Sequence, residues 1–137
     1  MALVVPNLGE QRLLEYLVGK SSPTGSKLYL RLYTNSLDLS NETFVTSSFT
    51  EASASGYAVK TLTSSNWGAS TNGSGITSMS YSTGVTFAFT AGQDIQGYYV
   101  TNAEGETLWA EEFPGAPFSL PVSTGGEIAI RPQLQLN

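Results

Sequence analysis

The sequence predicts a mainly β fold: an antiparallel β-sandwich, jelly-roll or Greek-key like, with one short N-terminal α-helix. Three observations carry this. Helical spacing of apolar residues occurs only near the start of the 137-residue chain. Beyond it, apolar residues alternate with polar ones in about eight short runs, each roughly ten residues from the next and bounded by turn signals. Serine and threonine make up about a quarter of the chain, aromatics 11% and charged residues only 12%, a composition suited to short strands and polar turns. A chain this long buries about two-thirds of its unfolded surface, enough for one core.

Taken in order, Asn7 followed by Glu10 has capping-box character. Leu14, Leu17 and Val18 fall at i, i+3 and i+4 before Gly19, which predicts about three turns of amphipathic helix. A helix so short needs something to lie against, its own sandwich or another subunit. After the turn cluster from Ser21 to Ser26, Lys27–Tyr33 is the clearest strand, with Leu28, Leu30 and Leu32 on one face and Tyr29, Arg31 and Tyr33 on the other. Further strands are predicted at 57–63, 76–81, 85–90, 97–101, 106–113, 118–122 and 127–136. Asn102–Gly105 forms a hairpin turn between two of them. Pro132 lacks a ladder donor, so the last strand should lie at an edge or carry a bulge there. Residues 1–20 are read as an arm plus helix and 21–137 as the sandwich, one structural domain in all.

The sequence holds no cysteine and no histidine, which removes disulfides, zinc fingers, imidazole-ligated metals and Cys-His or Ser-His-Asp catalysis. Paired carboxylates are the catalytic apparatus that remains. Glu111 and Glu112 are neighbours on one strand and face opposite ways, while Glu104 and Glu106 belong to a hairpin tip and should be solvated. Asp38–Glu42 reads as a solvated turn rather than a cation loop. No catalytic residue, cofactor or metal is therefore predicted, and the chain is read as a non-enzyme. A net charge of −5 with six scattered basic residues argues against nucleic acid. Met1–Pro6 has neither a basic leader nor the length of a membrane span, so synthesis in a cytoplasm without a signal peptide, and no membrane partner, are expected.

Interaction residues are sought among the aromatics. Tyr29, Arg31 and Tyr33 share the strand face opposite the leucines; that face is either buried or a protein interface, and the interface is the favoured reading. Tyr98, Tyr99 and Trp109 are assigned to the core. The polar stretch Ser64–Gly84 reads as a long loop with one weak strand, or as a loop presenting Trp67 to a partner or glycan.

The segments Gly97-Tyr98-Tyr99-Val100-Thr101, Leu108-Trp109-Ala110-Glu111-Glu112-Phe113, Phe118-Ser119-Leu120-Pro121-Val122 and Ile128-Ala129-Ile130-Arg131-Pro132 resemble a pattern found in small β-rich virion proteins of tailed bacteriophages. Leu3–Glu10, leading into the helix, resembles it too. The resemblance implies a capsid decoration (cement) protein on the capsid surface of the virion. It would be a homo-oligomer, most readily a trimer, whose partner is the major capsid protein. It further implies binding through a terminal arm, placed here at Leu3, Val4, Val5 and Pro6. The alternative is a tail- or fibre-associated receptor- or carbohydrate-binding module using Tyr29, Tyr33 and Trp67.

Overall fold

The computed structural model describes residues 3–20 and 27–136. The turn cluster expected at Ser21–Ser26 and the first two residues of the arm lie outside them. The fold is mainly β, antiparallel and sandwich-like, with one α-helix.

The run Lys27–Tyr33 forms β1. It is flanked by β2 (Lys60–Thr63) and, on its other side, by β7 (Gly97–Thr101), which in turn pairs with β8 (Thr107–Glu112), giving a four-stranded sheet in the order β2-β1-β7-β8. Leu30 faces Val100 and Leu32 faces Tyr98 across the β1–β7 register, and Val100 faces Trp109 on β8. One face of this sheet therefore carries the leucines with Tyr98, Val100 and Trp109. β7 is buried along its whole length, as expected of a central strand covered on both faces.

The opposing layer is built from β3 (Thr71–Gly73), β4 (Ile76–Ser80), β5 (Val85–Phe89), β10 (Gly126–Ile130) and β11 (Gln133–Leu136), while β6 (Asp94–Ile95) and β9 (Phe118–Ser119) pair as a separate two-stranded piece. β10 pairs with β5 and β11 with β4, so 126–136 runs as a long interrupted strand beside 76–89. The interruption lies at Arg131-Pro132. There the Arg131 guanidinium donates to the carbonyls of Tyr81 and Ser82, while Tyr81 N donates to Pro132 O at 2.9 Å. The irregularity expected at Pro132 is thus where the ladder breaks, and its freed carbonyls are still bonded. Phe87, Phe89, Ile128 and Ile130 of this layer meet the leucine face of the first sheet in the main core.

The other face of the first sheet is covered as well. Residues 34–51 fold over it as a loop closed at its base by Thr34 N to Thr50 O, 2.9 Å, and by Asn35, whose side chain bonds Ser48 O and Thr50 N. A compact loop with adjoining ends, packed by its own side chains, has Ω-loop character. It lowers Leu39, Phe44 and Phe49 onto Tyr33, Tyr99 and Ala110, making a second small core.

Helix α1 (Asn7–Leu17) starts at Pro6, with no side-chain cap. Asn7 is thus the first helical residue rather than the cap, and its N–H donates to Glu42 O at 2.9 Å. At the other end Gly19, at φ 70°, closes a Schellman motif: Gly19 N donates to Tyr16 O and Lys20 N to Glu15 O. The helix rests on β8 so closely that a Cβ on Gly9 would stand 2.2 Å from Leu108 O.

Candidate functional site

The N-terminal segment is not a free arm. Val4 and Ala110 exchange both backbone hydrogen bonds, 2.8 and 2.9 Å, which adds Val4 to the outer edge of β8. Leu3 and Val5 pack against the main core, Val4 against the second core, and Pro6 is buried. This alternation across the sheet is what a strand requires. Leu3–Pro6 are accordingly committed within the chain.

The face shared by Tyr29, Arg31 and Tyr33 is not an open interface. Tyr33 is 0% exposed, its ring edge-on to Phe49 and Tyr99 at centroid distances of 5.0 and 6.4 Å. Its hydroxyl has no hydrogen-bond partner among the described residues. Burial and the nearby carboxylates of Glu112 and Glu111 push its pKa well above the ordinary tyrosine value. Arg31 is engaged too: Nη1 donates to both oxygens of Glu51, at 2.9 and 3.2 Å, and Nε to Thr101 Oγ1. Tyr57 Oη donates to the same carboxylate at 2.8 Å while accepting from Leu32 N. Tyr29 is half-buried. Alternation correctly grouped the three side chains on one face; the loop 34–51 decides that this face is mostly interior.

Trp67 lies in the other layer, half-buried, its ring edge-on to Tyr81 and to Trp109 at 5.4 and 6.2 Å. It pairs with Tyr81 through an isolated bridge and packs on the main core. The three aromatics proposed as a stacking platform are therefore divided between opposite sides of the first sheet. Trp67 instead helps line a cavity of about 220 Å³ under α1, together with Leu13, Tyr16, Met79 and Leu134. Leucine, methionine and aromatic carbon dominate that lining, which contains no charged group.

Several acidic residues hold structural contacts. Glu106, expected to be solvated, receives Nε and Nη2 of Arg12 at 2.7 and 2.6 Å and Asn102 Nδ2 at 2.8 Å. The Arg12 hydrogen bonds hold its carboxyl below the usual carboxylate range. This fork ties α1 to the hairpin between β7 and β8. Tyr98 Oη donates to Glu111 at 2.7 Å, and Asp38 accepts from the backbone and hydroxyl of Ser40, an Asx-turn. Among the described residues no three acidic groups converge as a metal would need. No helix there is long and apolar enough to cross a membrane.

Of the two partners expected for the leucine face of α1, its own sandwich or another subunit, the sandwich does not cover it. Leu14, Leu17 and Val18 are 64, 82 and 73% exposed. The residues that face the sandwich are Gly9, Arg12, Leu13 and Tyr16. Large apolar side chains also stand exposed at Phe118 and Val122. The chain matches no protein-family model, no curated protein and no solved structure.

Proposed function

We propose that this chain is a structural protein of a tailed-phage virion, a capsid decoration protein that binds the major capsid protein and stabilises the shell. The observation that carries the reading is the outward placement of large apolar side chains on a braced β framework, at Phe118 and Val122 as surface open to the shell and at Leu14, Leu17 and Val18 as surface open to a neighbouring copy. On α1 the i, i+3, i+4 spacing brings the three side chains together on one exposed face, and grouped apolar surface marks protein contact.

The resemblance to virion proteins rests on segments with framework roles. Gly97–Thr101 is β7, Leu108–Glu112 belongs to β8 and Ile128–Ile130 to β10. These three support a shared scaffold, while the fourth segment, 118–122, carries the exposed Phe118 and Val122. Because Leu3–Pro6 are held within the chain, capsid attachment is assigned to exposed apolar surface instead of a terminal arm. The carbohydrate-module alternative has less support, since Tyr33 is buried and Trp67 lies in a different layer. Copy number tests the proposal. Purified virions should contain hundreds of copies, near one per major capsid subunit; a handful per particle, in the small multiples set by tail symmetry, would contradict it.

A further inference from the structure

Helix α1 is amphipathic in the inverted sense. Toward its own sandwich it presents Gly9, Arg12 and Tyr16, and toward solvent it presents Leu14, Leu17 and Val18, at 64, 82 and 73% exposure. Exposed leucines and valine at i, i+3 and i+4 form a stripe of the kind that packs against another helix. Helical geometry puts Glu10 on the same stripe, one turn before Leu14, and Lys20 follows Val18 past the Schellman turn; both are exposed.

We infer that this stripe is a self-association surface that pairs two copies of the chain through antiparallel α1 helices about a two-fold axis. Charge and dipole decide the orientation. With the axis level with residues 15–16, Leu14 of each copy faces Leu17 of the other. Glu10 of each copy then comes within about a turn of Lys20 of the other. The positive end of each helix dipole also lies beside the negative end of its neighbour. Parallel helices around a three-fold axis would instead gather Glu10 with Glu10 and Lys20 with Lys20. The contact is isologous, so every favourable pair occurs twice. It differs from the trimer that the resemblance implies, and it does not depend on the protein's being a virion component.

The test is the mass of the full chain by sedimentation velocity over a concentration series up to about the millimolar range. The expected species is a dimer that dissociates on dilution. Leu17→Glu should weaken dimerisation by at least about a hundredfold, since two buried leucines are lost per dimer and each is worth about tenfold or more. Its circular dichroism and melting temperature, taken below the dissociation range, should stay those of the parent monomer because Leu17 is 82% exposed. Glu10→Lys should weaken the dimer, and adding Lys20→Glu should restore it, which only the antiparallel arrangement permits. A chain that stays monomeric throughout, an oligomer indifferent to Leu17→Glu, or a trimer that the double charge swap fails to restore would each overturn the inference.

Discussion

Tyr33 shows how a residue's role is set by what covers it. Its position in an alternating run places it opposite the leucines, but nothing in that run announces Leu39, Phe44 and Phe49, which close over it from a loop. Those three recur at every fifth position, a spacing that fits neither helix nor strand, so the second core was not legible from periodicity. The hydroxyl of Tyr33 lies in this core without a hydrogen-bond partner among the described residues, and a Cβ on Gly97 would stand 2.8 Å from it. An unsatisfied buried hydroxyl costs about 1–3 kcal/mol. Tyr33→Phe should accordingly raise unfolding free energy by about 1 kcal/mol in urea titration, keeping the ring contacts with Phe49 and Tyr99. A loss of that size would mean the hydroxyl is stabilising.

At the scale of the element, α1 was legible in existence and end point but not in orientation. Leucine spacing made Leu14, Leu17 and Val18 the face to be covered, by the chain's own sandwich or by another subunit, whereas close approach to β8 uses the absence of a side chain at Gly9 and the anchor is an ion pair. Beside glycine and arginine only Leu13 and Tyr16 mark the packed face, a weaker pattern than the leucine stripe. The Arg12–Glu106 fork makes this attachment pH-dependent. The folded pKa of Glu106 lies below the ordinary value of 4.5, so its contribution is present above that value and is lost as pH falls through the folded pKa. Melting temperature should therefore decline on acidification below about pH 4.5, and Glu106→Gln should start lower at neutral pH and decline less steeply. Parallel profiles for the two proteins would assign acid lability to other carboxylates.

The N-terminal segment invites a second test at this scale. Deleting residues 1–5 removes the Val4–Ala110 pair of hydrogen bonds and the core contacts of Leu3 and Val5. The expected loss is about 2–4 kcal/mol in chemical denaturation. Unchanged stability would return the segment to the role of a free arm.

For the whole molecule, the sandwich-like antiparallel class and most strands follow from period-two alternation. Lys27–Tyr33 and Gly97–Thr101 agree residue for residue with β1 and β7. The short β3 escaped because Thr71-Asn72-Gly73 has no apolar alternation. It forms through the tight turn at Ser74 and Gly75, whose φ values of 54° and 80° suit a two-residue hairpin. The proposed interaction surface was the least legible part. Strand and helix patterns report which side chains share a face, and only tertiary packing shows which faces stay uncovered. Placement of apolar groups on the outside of a braced scaffold is the central claim, and its direct measurement is binding of the purified chain to phage capsids that lack it. Saturable binding approaching one copy per major capsid subunit is the predicted result; absence of binding, or attachment of a few copies confined to the tail vertex, would contradict it.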